Sequence, residues 1–354
     1  MPTTKKSLFN KFISQFISIR FLLGAGVLVG FLCVYWQWIA YQQFIVSPIN
    51  ISDGQKILTV SRGDSISLLA HRWQQQGIIT NQNYLKLLCY LNPDLKNIKA
   101  GEYQLNQQET PQSLLVKLSQ GKVIQYSFTI IEGVNSYEVI NSITNHNLLI
   151  NDLNADSNEL AYSLGIKYFS KSKNLHIEGW LFPDTYHYSR NESSTKLLTR
   201  AVDKMKVVLQ QEWQNRAENL PYQSVYDALI MASIIEKETG LHSEREKIAG
   251  VFVRRLNKNM RLGTDPTVIY GIGPSFNGDI TFKDLRTKTP YNTRIIKGLP
   301  PTPIAMPSRA SIYAALHPDD SNALYFVADG SGGHYFSETL AEHNKAVRRY
   351  LNKN

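Results

Sequence analysis

The sequence predicts an α+β protein with one N-terminal transmembrane helix, a small αβ subdomain and a larger α+β domain. An uncharged apolar run near the N-terminus indicates the membrane helix. Downstream of that run, short strand patterns are interleaved with helical periodicity, and the last third is rich in Gly and Pro. A length of 354 residues suits about two domains, and 43% hydrophobic and 19% charged residues are globular values.

Residues 21–41 contain no charged side chain and are long enough to cross a bilayer as a helix. Residues 1–20 carry four basic and no acidic side chains, and the first acid is Asp53. Because basic flanks stay on the cytoplasmic side, we predict that residues 1–20 are cytoplasmic. The chain would then be a single-pass protein of the cytoplasmic (inner) membrane, with its body on the periplasmic or extracytoplasmic side.

Four aromatic residues at the end of this run would form a belt at the far interface: Tyr35, Trp36, Trp38 and Tyr41. A cleaved signal peptide is the alternative interpretation. The run is longer than an ordinary signal-peptide core, and bulky aromatics occupy the place of a small-residue cleavage site. A retained anchor is therefore the prediction.

The composition and the known sequence motifs exclude several kinds of partner and of functional site. The net charge is +9, which suits a membrane surface or an anionic polymer, but no dense Lys/Arg tract predicts nucleic-acid binding. Cys33 lies in the apolar run and Cys89 stands alone, so neither a disulfide framework nor a cysteine metal site is predicted. The histidines lack metal-ligand spacing, and no phosphate loop or Gly-x-Ser-x-Gly elbow occurs. We therefore expect neither a metal nor a cofactor.

A linker over residues 42–55 leads into a small subdomain at 56–124. Strands are predicted at 57–60 and 100–105, with helices through 66–73, 84–90 and 110–118. The pattern V-x-x-G-D-S-x-x-x-L-A, followed later by A-G-E-Y-x-L, resembles a LysM-type fold. That resemblance implies binding of glycans that contain N-acetylglucosamine. A structural spacer is the alternative.

Residues 125–354 are predicted to form one α+β domain. Its expected elements are a strand at 125–131, a helix and loop at 136–150, a polar and partly helical stretch at 151–173, an aromatic-rich turn at 178–186, and helices at 194–217, 227–240 and 244–256. Ordered loops are expected at 264–273, 291–293, 298–305 and 328–334. Loops of this kind, with Pro, Gly and polar residues, often line functional sites.

The helix at 227–240 is apolar nearly all round, which predicts burial, and it ends in Glu236 and Glu238 before a stop at Gly240. A carboxyl group at the end of a buried helix loses hydration and lies near the negative end of the helix dipole. Both effects raise its pKa and favour a general acid. The alternative is that both carboxylates lie on a solvated last turn. Periodicity leaves the choice between them open, because they lie about 200° apart on the helix.

Six segments together resemble the endolytic murein transglycosylase family, also called MltG or YceG-like: residues 178–186, 232–239, 260–271, 291–293, 298–301 and 326–334. With the anchor and the LysM-like unit, the resemblance spans nearly the whole chain. It implies cleavage of the β-1,4 bond between N-acetylmuramic acid and N-acetylglucosamine in nascent peptidoglycan, with a 1,6-anhydro product. Peptidoglycan strands are the implied substrate, and peptidoglycan synthases of the elongation machinery are implied partners.

The resemblance points to Glu238 as the single catalytic acid and base, and the pair Glu238-Thr239 is similar to the Glu-Ser pair of other lytic transglycosylases. Candidate substrate-binding residues are Glu178, Tyr186, Glu236, Thr239, Asp265, Tyr270, Tyr291, Asn292 and His334. Glu236 is the alternative acid. Two other functions remain open: a non-catalytic cell-wall glycan-binding scaffold, and a muramidase that hydrolyses with the same acid.

Overall fold

The computed structural model describes residues 4–51, 56–166 and 176–351. Part of the expected linker, at 52–55, and the end of the expected polar stretch, at 167–173, lie outside the described residues. The chain divides into two compact units, Met1–Ile124 and Gln125–Asn354. These are called the N-terminal and C-terminal units below. Each has its own cluster of buried apolar side chains, and both mix helices with short strands.

Helix α1 covers Thr4–Val46, and its Leu23–Val46 portion is long and apolar enough to cross a membrane. The helix therefore continues through residues 42–46, where the sequence analysis placed the start of a linker. Tyr41 and Phe44 are buried in the core of the N-terminal unit. Tyr41 is thus unavailable to the expected aromatic belt, whereas Trp36 and Trp38 remain exposed.

The rest of the N-terminal unit follows the predicted order of elements. Strand β1 (Ile57–Val60) pairs antiparallel with β2 (Gly101–Gln104), and helices α2 (Ile66–Gln75) and α3 (Gln82–Leu91) lie between them in the chain. Helix α4 (Pro111–Gln120) follows. The three helices begin where polar caps predict, because the side chains of Ser65, Asn81 and Thr110 accept hydrogen bonds from first-turn N–H groups.

The described strands of the C-terminal unit form three two-stranded sheets. Strand β3 (Tyr126–Thr129) pairs antiparallel with β5 (Thr185–Tyr188), and β4 (Leu149–Ile150) pairs parallel with β6 (Glu192–Ser193). Strands β7 (Tyr325–Ala328) and β8 (His334–Ser337) form an antiparallel hairpin. The expected loop at 328–334 is therefore largely the turn of this hairpin, which the sequence analysis did not predict.

The described part of the C-terminal unit contains nine α-helices: α5 (Ser136–Thr144), α6 (Ser157–Ser163), α7 (Ser194–Gln214), α8 (Val225–Glu238), α9 (Arg245–Asn257), α10 (Asp265–Ile272), α11 (Phe282–Arg286), α12 (Arg309–Leu316) and α13 (Leu340–Leu351). The central helix is α8, whose residues from Ala228 to Ile235 are all buried. It packs against α7, α9, α10 and α12. The prediction of a helix buried all round is confirmed.

The segment 264–273 is not the ordered loop that the sequence analysis expected, because most of it forms helix α10. Pro266 lies in the first turn of this helix, where proline costs no hydrogen bond and its fixed φ suits the helix. Gly271 lies inside the helix and Gly273 ends it with a φ of 69°. Pro and Gly were read as loop signals, but here they mark the two ends of a short helix.

Helix α8 ends near the predicted position, but not through the glycine cap that the sequence predicts. The helix stops at Glu238, and Thr239 is extended, with φ −146° and ψ 137°. Gly240 does not have the positive φ of a left-handed glycine cap. Instead, the Thr239 Oγ1 accepts a hydrogen bond from the Leu241 N–H at 3.0 Å. The chain thus leaves the helix abruptly, immediately after the second carboxylate.

Candidate active site

The two carboxylates at the end of α8 meet different neighbours. The Glu236 carboxylate accepts a hydrogen bond from the Ser308 N–H at 2.9 Å and another from the Ser308 hydroxyl. It also lies 3.7 Å from Nη2 of Arg245. Ser308 is the N-cap residue of α12. Glu236 therefore ties the end of α8 to the start of α12, which is a structural role.

Glu238 remains partly exposed, and its Oε1 accepts a hydrogen bond from the Thr264 hydroxyl. Burial of the carboxyl group raises its pKa above the ordinary glutamate value. The Thr264 hydrogen bond opposes this rise, Asp265 adds to it, and the charges of His334 and Arg255 oppose it. A carboxyl group with a raised pKa and remaining access to solvent can serve as a general acid.

Two hydrogen bonds hold the backbone of Thr264 in place. Its N–H donates to Thr293 Oγ1 at 3.1 Å, its carbonyl accepts from Thr267 Oγ1 at 2.8 Å, and all three threonines are buried. Thr264 is the N-cap residue of α10, yet its side chain caps no N–H of that helix. The hydroxyl instead donates its hydrogen to Glu238. The sequence analysis did not single out Thr264, although a threonine before Asp-Pro was a visible N-cap signal.

Arg255, in the last turn of α9, is a second residue that the sequence analysis missed. Its Nε donates to the Leu324 carbonyl at 2.7 Å, and its Nη1 donates to the Leu262 carbonyl. The guanidinium lies over the Tyr325 ring, 5.3 Å from the centroid. Burial lowers its pKa, and the charge of Glu238 opposes that shift. The site thus has a fixed cation that acts on the Glu238 carboxyl group.

His334, whose charge acts on the Glu238 carboxyl group, is held in place by another carboxylate. Its N–H donates to Glu244 Oε1 at 2.8 Å, and its Nδ1 lies 2.7 Å from Glu244 Oε2. Both the backbone and the ring at the start of β8 are thereby fixed, and the ring packs edge-on against Phe326. The sequence analysis proposed His334 as a site residue but did not identify Glu244.

Asp265 follows Thr264 directly and forms an ion pair with Arg294. Both side chains are substantially exposed, so this pair stabilises the fold little. The negative charge of Asp265 nonetheless contributes to the raised pKa of Glu238. Among the residues that the structure describes, no group of three or more His, Cys, Asp or Glu is arranged to hold a metal ion.

Glu178, Tyr270 and Tyr291 form a second cluster, which α10 connects to Glu238. The Glu178 carboxyl group is buried and accepts hydrogen bonds from the Ser136 N–H (3.0 Å), the Ser136 hydroxyl (2.8 Å) and the Tyr270 hydroxyl (3.0 Å). Burial raises its pKa. The rings of Tyr270 and Tyr291 lie 4.9 Å apart and remain partly exposed. This cluster therefore presents two fixed aromatic side chains.

A model of the YceG-like family matches residues 58–349. The chain belongs to the YceG-like family. It is 29% identical over 324 residues to the endolytic murein transglycosylase of Bacillus subtilis strain 168, covering 88% of this chain and 89% of that protein. The endolytic murein transglycosylase of Streptococcus pneumoniae D39 is 25% identical over 380 residues, which cover 96% of this chain and 65% of the longer pneumococcal protein.

The fold is also similar to a solved structure of this family. A 2.6 Å crystal structure of a YceG-like protein from Listeria monocytogenes is 32% identical and superposes with a TM-score of 0.54. The similarity covers 82% of this chain and 98% of the Listeria chain. The YceG-like fold therefore extends over most of the sequence.

Three of the expected site residues have structural contacts in this YceG-like chain. Tyr186 is buried, and its hydroxyl donates to the Phe182 carbonyl at 2.7 Å. Asn292 is fully buried, and its Nδ2 donates to three carbonyl groups of the segment 284–287. Thr239 is buried at the end of α8. The charges of Asp265 and His334 act on the Glu238 carboxyl group, whereas Tyr186 and Asn292 are buried.

Proposed function

We propose that this chain is a membrane-anchored endolytic lytic transglycosylase. It cleaves the β-1,4 bond between N-acetylmuramic acid and N-acetylglucosamine in nascent peptidoglycan and leaves 1,6-anhydro ends. The observation that carries the proposal is Glu238, a partly exposed residue whose carboxyl group has a raised pKa and is held by the Thr264 hydroxyl. The names of the curated relatives support the substrate and the type of reaction.

In the proposed reaction, the Glu238 carboxyl group donates its proton to the glycosidic oxygen while the bond from that oxygen to C1 of the muramoyl sugar breaks. Positive charge develops at C1 and the ring oxygen. The C6 hydroxyl of the same sugar then attacks C1, and its proton passes to the Glu238 carboxylate. The nucleophile is internal, so its effective concentration is high and no water enters the product. Glu238 ends the cycle protonated.

The surrounding residues suit the two charge states that this cycle requires. Arg255 and the Thr264 hydroxyl stabilise the Glu238 carboxylate after it has lost its proton, because one is cationic and the other donates a hydrogen bond. Burial and Asp265 favour the protonated state before the reaction. The single carboxyl group can therefore act first as an acid and then as a base.

We further propose that Tyr270 and Tyr291 stack on sugar rings of the strand. Their rings remain partly exposed, and their hydroxyls are held by Glu178 and Thr302. Glu178 then acts by positioning Tyr270 rather than by contacting the glycan. His334, fixed by Glu244, is proposed to contact the sugar bound at Glu238.

For the N-terminal unit we propose a LysM-like role in glycan binding. The order strand, helix, helix, strand with an antiparallel pair supports this role. A cavity of about 480 Å³ lies between the loop after β1 and the segment after α3, and its lining includes Ser65, Tyr90 and Lys96. Polar groups beside an aromatic ring suit a sugar. Association with peptidoglycan synthases of the elongation machinery is part of the proposal and rests on the family.

We also propose that α1 anchors the chain in the inner membrane with residues 1–20 in the cytoplasm. The basic N-terminal flank and the apolar Leu23–Val46 portion of the helix support this orientation. An alkaline phosphatase fused after Asn354 should then be active, since that enzyme functions only outside the cytoplasm. Activity of a cytoplasmic reporter at the same position would contradict both the orientation and the access to peptidoglycan.

Exchange of Glu238 for Gln tests the chemistry. Glu238→Gln keeps the shape of the side chain but removes the transferable proton, so the rate should fall at least about 100-fold. Glu236→Gln is the matched control on the same helix end. It should keep most of the activity but lower the melting temperature, because it weakens the contact with Arg245. Rates are measured on uncrosslinked glycan strands, and both variants are checked for folding.

Mass spectrometry of the cleaved strands separates the three candidate functions. Anhydro ends support the proposal, whereas reducing ends would indicate a hydrolytic muramidase. Intact strands with folded wild-type protein would indicate a non-catalytic scaffold. If Glu238→Gln keeps the wild-type rate while folded Glu236→Gln is inactive, the assignment of the acid is wrong.

A further inference from the structure

Helix α1 passes into the folded N-terminal unit without a break. Tyr41 and Phe44 are part of the helix and of the buried core of this unit, at 4% and 7% exposure. The side chains from Leu23 to Trp38 remain largely exposed, as expected for residues that face lipid. One continuous helix therefore connects the apolar segment to the unit.

A polar contact between α1 and α3 bears on where the hydrocarbon region would end. The Tyr84 hydroxyl, on α3, donates to Gln37 Oε1 at 2.5 Å. The Tyr84 ring also packs against Tyr41 and Phe44, with centroids 6.0 Å and 5.6 Å apart. Gln37 is thus engaged by a polar group of a folded unit. With α1 as the proposed anchor, the hydrocarbon region would end by about Trp36, five residues before the predicted boundary at Tyr41.

This boundary leaves a short span. Phe21 to Trp36 is sixteen residues, which cover about 24 Å at the helical rise. A bilayer hydrocarbon core is about 30 Å thick. A span that is too short is accommodated by local thinning of the bilayer and by flanking groups that move to the interface. The part of the N-terminal unit next to Gln37 is the group that would be drawn to the interface.

Helix α3 carries an apolar surface at this place. Leu87 and Leu91 follow Tyr84 at helical spacing and are 37% and 49% exposed. The α3 sequence contains no acidic residue that would repel anionic headgroups, and its one basic residue, Lys86, lines the proposed glycan-binding cavity. Tyr90 faces the glycan-binding cavity proposed above and is not part of this surface. The surface of Leu87 and Leu91 is called the α3 stripe.

We propose that the α3 stripe lies in the headgroup region of the bilayer, so that the N-terminal unit rests on the membrane surface. The partner is the lipid bilayer itself, because Tyr84, which precedes Leu87 by one turn of α3, contacts Gln37 at the end of the exposed apolar segment of α1. This inference rests on the proposed membrane anchor but not on the transglycosylase chemistry.

The test uses the full chain in vesicles of phosphatidylethanolamine and phosphatidylglycerol. Leu87→Cys and Leu91→Cys, each in a Cys33→Ala, Cys89→Ala background, are labelled with a polarity-sensitive nitrobenzoxadiazole dye. Leu68→Cys is the matched control, because Leu68 is a leucine of similar exposure, 47%, on α2. The dye at 87 and 91 should be quenched by doxyl-labelled lipid and protected from iodide. The dye at 68 should be quenched by iodide.

Bilayer thickness gives a second measurement. Quenching by lipid at 87 should increase when the acyl chains are lengthened from 14 to 22 carbons, because a thicker bilayer increases the mismatch. If inserted protein shows equal iodide quenching at 87, 91 and 68, or no dependence on thickness, the α3 proposal is wrong. Protein that carbonate extracts from the vesicles would overturn the anchor, and the α3 proposal with it.

Discussion

At the scale of the residue, Glu178 and Glu238 show how position separates two carboxyl groups of similar electrostatics. Burial is the largest cause of the raised pKa in both cases. Glu178 is only 2% exposed, and its oxygens accept hydrogen bonds from Ser136 and Tyr270. Glu238 accepts one hydrogen bond, from Thr264, and keeps access to solvent. Access to solvent, rather than the direction of the pKa shift, makes Glu238 the better candidate for proton transfer to a substrate.

Exchange of Thr264 tests whether its hydrogen bond sets the pKa of Glu238. Its hydrogen bond lowers the pKa of Glu238, so its loss in Thr264→Val should raise that pKa further. An acid must be protonated to act, and activity falls as pH rises through its pKa. The alkaline limb of the pH–rate profile should therefore move to higher pH in the variant. The maximal rate should fall roughly tenfold, because the carboxyl group is less well oriented.

Thr264→Ser is the matched control, because it keeps the hydroxyl. It should retain most of the rate and the wild-type pH profile. A Thr264→Val variant with a reduced rate but an unchanged alkaline limb would show that Thr264 affects folding rather than Glu238. Melting temperatures of both variants are measured to identify that case.

At the scale of the element, the packing around α8 requires a residue without a side chain at position 179, where the backbone lies close to Pro303 and to Leu229 of α8. Gly179 has a φ of 80°, and a Cβ atom there would lie 2.6 Å from Pro303 and 3.5 Å from Leu229 of α8. Glycine is therefore required for both conformation and space. The same segment carries Glu178, so the packing of α8 and the position of Tyr270 are coupled.

Gly179→Ala should destabilise the C-terminal unit by at least about 2 kcal/mol. The cost of a left-handed conformation at alanine adds to the cost of the overpacked contact with Pro303. Gly298→Ala is the control. Gly298 has a φ of 83°, but nothing lies within 4 Å of a Cβ placed there, so only the conformational cost of about 1 kcal/mol remains. Urea denaturation measures both. Equal losses would show that the contact with Pro303 relaxes without cost.

At the scale of the whole molecule, the C-terminal unit has the core of an independent domain. Its buried apolar cluster begins at Phe128 and ends at Leu316, and it includes no side chain from the N-terminal unit. The residues around Glu238, from Glu178 to His334, all belong to the C-terminal unit. Folding and the proposed chemistry should therefore both survive without the first 124 residues.

A chain that starts at Gln125 should be soluble, show a cooperative thermal transition and cleave soluble glycan strands. Its affinity for long strands should be lower than that of the full chain, because the proposed glycan-binding unit is missing. Circular dichroism and cleavage assays measure these properties. A truncated chain that does not fold would show that the boundary near residue 125 is wrong.

The sequence by itself predicted the features that depend on local patterns. An uncharged run, helical periodicity and polar caps predicted the N-terminal apolar helix, the elements of the N-terminal unit and the buried helix that ends in two carboxylates. Residues 264–273 were misread because Pro and Gly occur both in loops and at helix ends. The β7–β8 hairpin was missed because its two strands of four residues each carry too little periodic signal.

Only the tertiary structure could decide which groups meet the two glutamates. Periodicity gives the angle between Glu236 and Glu238, but their partners come from distant parts of the chain. Ser308, 72 residues away, binds Glu236, and Thr264, 26 residues away, binds Glu238. Tyr186 looked available in the sequence but is packed in the core. Burial and long-range contacts are properties of the folded chain, whereas local patterns report only the shape of each element.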